Sequence, residues 1–225
     1  MSTLHFQSVT AFLDEFLDGF DEQDRSLGAP VSMKFAEIAL DVGATRIKQL
    51  ILENKLREIV IGSGNVIPRA IQFESLIHYY KKKKDREKLL KSITPERVKK
   101  HILDKLIEVD FAETGQCLMY SDDVMTPLGL RNAIAKDREH IGEVLGLISI
   151  ETLADDICLA MLSAVVVYKT GERKGRPNDS FFSLAETELK PLKLSTPQDR
   201  EIFWQEQILK LQQYVKRLQT DPNLQ

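Results

Sequence analysis

Residues 35–51 of this chain, FAEIALDVGATRIKQLI, decide the fold predicted for its N-terminal half. The apolar spacing predicts a short helix over 35–39 and a second helix that runs from Arg46 to about Lys55. Between the two helices, Gly43 supplies the permissive backbone that a tight turn needs, and Thr45 is a suitable N-cap for the second helix. The stretch therefore predicts a helix-turn-helix.

Residues 58–68, EIVIGSGNVIP, follow these helices and predict a small β-hairpin. Residues 58–61 are expected to form a strand, and the Gly-Ser-Gly-Asn sequence at 62–65 a hairpin turn. A return strand at 66–67 is then stopped by Pro68, which cannot donate a ladder hydrogen bond. Two helices followed by such a hairpin indicate a winged helix-turn-helix domain over residues 31–80.

The block from about residue 33 to residue 78 resembles the excisionase/MerR-type DNA-binding domain. The matching segments are residues 35–39, 42–43, 50–56, 60–62 and 67–69. In that family a small helical pair ends in a wing, and the second helix enters the major groove of DNA. The resemblance implies a sequence-specific protein that binds double-stranded DNA, acting as a transcriptional regulator or as a recombination or phage accessory factor.

Polar side chains of the second helix and the wing are the candidate DNA contacts. Arg46, Lys48 and Gln49 lie in the early turns, where a recognition helix reaches base edges. Arg and Lys suit guanine and Gln suits adenine, each bidentate pair giving about 1–3 kcal/mol of discrimination. Phosphate contacts, which position the domain without reading sequence, are expected from Thr45, Ser63, Asn65 and Arg69. Two further DNA-binding candidates are Asn54 and Lys55. The alternative is that all of these are simply exposed polar residues.

Basic residues are concentrated in the middle of a chain whose net charge is -3. Residues 31–105 hold seventeen bases and nine acids, whereas residues 1–30 hold six acids and one base. Residues 106–225 are acidic again, with nineteen acids and thirteen bases. A positive middle between acidic flanks indicates a segment that faces a polyanion. The overall charge excludes a uniformly basic histone-like protein, and 43% apolar content argues against wholesale disorder.

Residues 81–110 are predicted to be a basic helical connector. Thr94 is the expected N-cap of a helix that begins at Pro95. The connector opens with four consecutive lysines: Lys81, Lys82, Lys83 and Lys84. We expect these lysines to lie along a phosphate backbone, where each neutralised phosphate steepens the dependence of log affinity on log salt by about 0.9. A solvated helix end is the alternative.

The two ends of the chain are predicted to be amphipathic helices. In residues 1–30, apolar side chains recur at helical spacing from Val9 to Phe20, and acids fill much of the opposite face. This acidic helix either docks a partner protein or packs on its own domain. In residues 195–225, an apolar seam with spacings of 4, 3, 4 and 3 joins Trp204, Ile208, Leu211, Val215 and Leu218. Such a seam predicts either a homodimer or a terminal helix that closes the preceding domain.

Residues 111–194 are predicted to form a second winged-helix-like domain. The expected order is helix, polar turn at 136–139, helix, buried strand at 162–168, basic loop and returning strand at 181–184. The basic loop carries the last DNA-binding candidates: Arg173, Lys174 and Arg176. Acidic residues around this domain make contact with a protein as plausible as contact with DNA.

Catalytic and metal-binding patterns are weak. The four histidines are dispersed, neither cysteine has a partner at ligand spacing, and no phosphate-binding loop or nucleophile elbow is present. Asp179, Glu188 and Lys190 have the residue types of a Mg²⁺-dependent nuclease, but residues 184–189 favour a helix over the strand that such a motif needs. We therefore predict no enzyme activity, no cofactor and no metal.

The expected fold is mainly α with small β-hairpins (α+β), in two winged-helix-like domains with a helix at each end of the chain. The longest apolar stretch, residues 157–168, is short of the roughly 20 residues that cross a bilayer, and we expect no secretion signal. Two cysteines fit a reducing compartment. We expect a cytoplasmic, nucleoid-associated, homodimeric protein of bacterial or phage type. The alternative function is a protein-interaction adaptor subunit of a nucleoprotein complex.

Overall fold

The computed structural model describes residues 14–17, 19, 28–61, 69–115, 118–172 and 174–221. Over these residues the chain is mainly helical with small sheets, which confirms the predicted fold class at this level. It divides into two compact units, Met1–Lys88 and Leu89–Gln225. The boundary falls inside the predicted basic connector, so residues 81–88 belong to the first unit and residues 89–110 to the second.

A three-stranded antiparallel sheet organises the first unit. Its strands β1 (Pro30–Ser32), β2 (Glu58–Val60) and β3 (Arg69–Gln72) lie in the order β1-β3-β2. The predicted turn at 62–65 and the predicted return strand at 66–67 lie outside the described residues. The return strand that the structure describes begins at Arg69, directly after Pro68, which cannot supply a ladder hydrogen bond.

Two short helices, α1 (Met33–Leu40) and α2 (Ala44–Leu52), lie between β1 and β2 in the chain. The Ser32 hydroxyl caps α1 by accepting the Phe35 N–H at 3.0 Å, and α1 ends at Asp41 in the left-handed conformation. The predicted helix pair is present, but α2 begins and ends earlier than expected. Gly43 is therefore the N-cap of α2, and the predicted N-cap Thr45 lies within its first turn.

The long helix α3 (Phe73–Lys91) contributes to the core of the first unit. The buried side chains of this core, supplied mainly by α1, α2, β3 and α3, are Ala36, Leu40, Ile47, Leu50, Leu56, Ile71, Phe73, Leu76, Ile77 and Tyr80. Residues 14–17 are helical, and Leu17 is fully buried in the same core. This segment therefore packs on its own unit, while most of the predicted N-terminal helix lies outside the described residues.

The second unit is built from helices of very different length. The long helices are α4 (Pro95–Glu108), α7 (Ala135–Ala154) and α9 (Pro197–Thr220), and the short ones are α5 (Phe111–Thr114), α6 (Ser121–Met125) and α8 (Asp179–Glu188). Thr94 caps α4 by accepting the Arg97 N–H at 3.3 Å, as predicted. The short strands β4 (Met119–Tyr120) and β5 (Val166–Val167) pair in parallel.

The described residues of the second unit do not form the elements in the order predicted for a winged helix. Residues 136–139 lie in the first turns of α7 instead of a turn between helices. Residues 162–165 form a 3₁₀ turn, and residues 181–184 lie in α8. The predicted returning strand was wrong because the Asn178 side chain caps a helix there, accepting the Phe181 N–H at 2.9 Å. Strand β5 consequently pairs with β4, and the predicted hairpin does not form.

Residues 160–165 run through the core of the second unit. Side chains of α9, a helix far along the chain, form hydrogen bonds with the backbone N–H and C=O groups of this segment. Gln207 Oε1 accepts the Met161 N–H at 3.0 Å, and Trp204 Nε1–H donates to the Ala164 carbonyl at 2.8 Å. An unpaired buried polar group costs about 1–3 kcal/mol, so an irregular segment is tolerated in a core only with such partners. Helix α9 thus stabilises this segment through hydrogen bonds as well as apolar contact.

The predicted dimer seam is part of that core. Its five residues are at most 7% exposed within the second unit: Trp204, Ile208, Leu211, Val215 and Leu218. A seam that the chain's own core covers cannot also receive the helix of another copy. Of the two predicted alternatives, the structure therefore supports the terminal helix that closes the preceding domain.

Replacement of Gln207 by Met is expected to destabilise the second unit by about 1–3 kcal/mol, because the Met161 N–H loses its buried acceptor. Urea unfolding followed by the fluorescence of Trp204, the single tryptophan of the chain, measures this change. Gln213 is exposed on the same helix, so Gln213→Met is the matched control, with an expected change within about 0.5 kcal/mol. Equal effects of the two substitutions would contradict the proposed role of Gln207.

The carboxylate of Asp14 holds the segment 14–17 to α3. It accepts the Tyr80 hydroxyl at 2.6 Å and the Lys84 ammonium at 2.7 Å. Partial burial acts to raise the pKa of Asp14, but the hydrogen bonds from Lys84 and Tyr80 outweigh it and hold the pKa below its ordinary value. The charged carboxylate therefore adds stability above the unfolded-state pKa, and this stability is lost as the pH falls through the native pKa.

Substitution of Asp14 by Asn is expected to lower the stability of the first unit at pH 7 by less than about 1 kcal/mol, since the ion pair is partly exposed. The difference from the wild type should shrink as the pH falls below the ordinary aspartate value of 3.8. Urea titrations at pH 7, 5 and 3, followed by circular dichroism, test this. A difference that stays constant over this range would show that Asp14 does not act through its charge.

Candidate nucleic-acid interface

Helix α2 has one anchored face and one exposed face. Ile47 and Leu50 are fully buried in the core of the first unit. Thr45, Lys48 and Gln49 are exposed, and their spacing of three and four residues places them on one side of the helix. The sequence predicted Lys48 and Gln49 as base-reading residues, and the structure makes both accessible.

Arg46 is half-buried and lies against a carboxylate. Its Nη1 is 3.3 Å from Glu53 Oε1, and Lys55 Nζ is 2.6 Å from the other oxygen of the same group. The hydrogen bond from Lys55, followed by the charges of Lys55 and Arg46, holds the pKa of Glu53 below its ordinary value. Two of the predicted DNA-contacting bases are therefore paired with one anion of the chain.

Leu52 extends the exposed face of α2 and was missed as a candidate contact. It is 82% exposed and lies three and four residues after Gln49 and Lys48. An apolar side chain at this place suits the methyl group of thymine in the major groove. The run of three apolar residues from Leu50 to Leu52 gave no signal of exposure, because only the packing of the helix decides which of the three faces outward.

The hairpin and the end of α2 contribute two further described candidates. Arg69 begins β3 and is exposed, with Nη1 3.4 Å from a carboxylate oxygen of Glu58 on the neighbouring strand. Asn54 follows α2 in the left-handed conformation, with φ 56°, and is also exposed. Ser63 and Asn65 lie outside the described residues.

Two of the four consecutive lysines contact other segments of the first unit, and the other two line a groove. Lys83 Nζ donates to the Leu40 carbonyl at the end of α1 at 2.7 Å, and Lys84 Nζ donates to Asp14 at 2.7 Å. Both side chains therefore help to hold the first unit together, and each ammonium already uses at least one of its three donors. Phosphate binding by the four lysines stays a prediction. Lys81 and Lys82 instead line an open groove.

This groove has a volume of about 820 Å³ and lies entirely in the first unit. Its walls come from the segment that follows α2, from the end of β3 and from the first four turns of α3. The predicted candidates Asn54, Lys55, Lys81 and Lys82 all line it. The structure thus brings together residues from two separate predicted segments, the helix-turn-helix domain and the basic connector.

The DNA-binding candidates of the second unit lie in the basic loop, where carboxylates lie near the arginine that the structure describes. The loop that carries them is closed by the Tyr168 carbonyl, which accepts the Gly175 N–H at 2.9 Å. Arg176 Nε is 3.7 Å from Glu201 and lines a cavity of about 360 Å³, in which Arg200 and Asp179 are 3.2 Å apart. Two arginines thus face two carboxylates. Lys174 is exposed, and Arg173 lies outside the described residues.

The nuclease pattern does not converge on one site. Asp179 and Glu188 are the first and last residues of α8, so the rise of the helix separates their backbones by about 13 Å. Across the described ranges, no three His, Cys, Asp or Glu side chains are grouped as a possible metal site. Burial raises the pKa of Cys158 to about 11, which keeps this thiol protonated and unreactive at neutral pH.

The helices of the described segments include none with the length and apolar composition that a membrane crossing requires. The candidate interface is therefore the exposed face of α2 together with the groove that follows this helix in the first unit. No match to this chain was found among protein-family models, curated proteins or solved structures.

Proposed function

We propose that this chain binds double-stranded DNA in a sequence-specific manner, with α2 of the first unit as the helix that reads bases in the major groove. The observation that carries the proposal is the exposure of Thr45, Lys48 and Gln49 on one face of a helix whose other face is locked in a core. A major groove about 12 Å wide admits one α-helix, and base edges are then met by such a row of donors.

The elements around α2 support this proposal. Helices α1 and α2 are joined by a short turn and followed by the β2–β3 pair, and β1 adds to the sheet beside β3. This order is the one expected of a winged helix-turn-helix, in which the first helix supports the second and the hairpin flanks it. The segments that resemble the excisionase/MerR-type domain lie in the same unit.

The exposed face of α2 carries some side chains that suit base edges and others that suit phosphates. Lys48 is a donor for guanine, and Gln49 can both donate to and accept from adenine. The Thr45 hydroxyl, in the first turn of α2, is suited to a phosphate oxygen. Arg46 is paired with Glu53 in a partly exposed ion pair, a class of contact that contributes little stability in water, so Arg46 can exchange this partner for a phosphate or a guanine.

In this proposal, the protein is a transcriptional regulator or an accessory factor of recombination, and the second unit has no assigned DNA contact. Dimerisation on a palindromic site remains part of the proposal. It cannot use Trp204, Ile208 or the other seam residues of α9, because these are buried within the chain. A dimer would therefore need an exposed surface of either unit.

Selection of random duplex fragments by the purified full chain, followed by sequencing, is expected to yield an enriched site. On that site, Lys48→Ala combined with Gln49→Ala should weaken binding by about 30-fold or more, because two base pairings of about 1–3 kcal/mol each are lost. Binding to unrelated duplexes should change far less, since phosphate contacts dominate it. Fluorescence anisotropy at a stated salt concentration measures both affinities.

The matched control is Lys210→Ala combined with Gln213→Ala, which removes the same side chains from the exposed side of α9 in the second unit. This control should retain the affinity of the wild type for both duplexes. If no sequence is enriched, or if the two double variants behave alike, α2 is not a base-reading helix.

A further inference from the structure

The groove of the first unit contains two basic residues that base reading by α2 does not explain. Arg57 lies in the segment between α2 and β2, and His78 lies in α3 one turn before Lys82. Neither residue was predicted as a ligand contact, because each is an isolated base in its own stretch of sequence. In the structure both border the same space of about 820 Å³.

Bases outnumber acids along the walls of this groove. Its charged lining consists of Lys55, Arg57, Lys81 and Lys82 against Glu74 and Asp85. Lys55 is already paired with Glu53 at 2.6 Å, which leaves three bases against the two acids. The groove therefore carries a small excess of positive charge, which favours an anionic ligand.

Two of these bases have no anionic partner among the described residues. No carboxylate of that part of the chain lies within 4.0 Å of Arg57 or Lys82. Some other cations of the first unit are paired: Lys34 contacts Glu37 at 2.9 Å, and Arg69 contacts Glu58 at 3.4 Å. The groove thus contains two bases that no carboxylate of the described residues neutralises.

The Ser75 side chain links the two walls of the groove. The Ser75 hydroxyl accepts the Arg57 N–H at 2.9 Å and donates to the Gln72 carbonyl at 2.8 Å. Arg57 is thereby fixed beside the start of α3. His78 and Lys82 are four residues apart on that helix, which places their Cβ atoms about 5–6 Å apart on one face. The groove therefore has basic residues on two walls whose backbones are linked to each other.

We propose that this groove binds a run of phosphate groups, with Arg57, His78 and Lys82 as the donors. The inference rests on the proposed function for the source of these groups, which are the phosphodiesters of the bound DNA. A guanidinium matches two phosphate oxygens with parallel hydrogen bonds, while an ammonium acts as a point charge. The imidazole of His78 supplies one N–H in its neutral form.

The test compares four forms of the full chain: the wild type, Arg57→Ala combined with Lys82→Ala, Lys34→Ala combined with Lys88→Ala, and Asp85→Asn. The variant with Lys34→Ala and Lys88→Ala is the control, because it removes the same charge from exposed lysines of the first unit that do not line the groove. Binding of a mixed-sequence duplex is measured at several KCl concentrations. Binding of inorganic tripolyphosphate is measured by calorimetry.

The groove variant is expected to lower the slope of log affinity against log salt by about 1.8, at about 0.9 for each lost phosphate contact. The loss should be alike for different duplex sequences, unlike the loss caused by changes at Lys48 and Gln49. Asp85→Asn removes an anion from the groove and should strengthen duplex binding by about fivefold at low salt. A folding defect cannot produce this gain, so an unchanged or weaker affinity would count against the groove.

The outcomes separate this inference from the proposed function. Duplex binding that is equal in the groove variant and the control overturns the groove and leaves the proposed function standing. Tripolyphosphate binding that depends on Arg57 and Lys82, without any duplex binding, overturns the proposed function and identifies free polyphosphate as the source of the phosphates. A wild-type chain that binds neither probe overturns both.

Discussion

The helical repeat of α3 is the constraint on which the first unit depends. Residues three and four apart share a face, so Phe73, Leu76, Ile77 and Tyr80 point into the core along one side of the helix. Lys84 shares the side of Tyr80 and meets Asp14, whereas Lys82 shares the side of His78 and borders the groove. Adjacent residues of one chemical type thus have different roles, because 100° of rotation separates each from the next.

The candidate interface depends on how α2 is anchored in the core of the first unit. Ile47 and Leu50 anchor α2 in the core, so Lys48 and Gln49 lie on the side of the helix that faces solvent. The groove then adds bases from a segment that follows α2 and from α3, which are more than twenty residues apart in the chain. In the proposed function, α2 supplies specificity through base edges, and the groove supplies affinity through phosphates.

Helix caps predicted an element correctly, whereas β-branched composition predicted a strand that is mostly absent from the described residues. Thr94 and Pro95 began a helix as expected, because a cap acts on its own first turn. Residues 162–168 are rich in β-branched side chains, yet only Val166–Val167 forms a strand. The residues before it take their hydrogen-bond partners from α7 and α9, and a pattern confined to a few residues cannot show partners that distant.

By itself, the sequence determined the helix pair that precedes β2 in the first unit, which residues on α2 are polar and where basic charge accumulates along the chain. These properties follow from periodicity and composition, which are local. Tertiary structure alone decided that Leu52 is exposed, that the seam from Trp204 to Leu218 is covered, and that Arg57 borders the same groove as Lys81 and Lys82. Each of these depends on which faces pack together, and packing is settled by shape and hydrogen bonding across the whole unit.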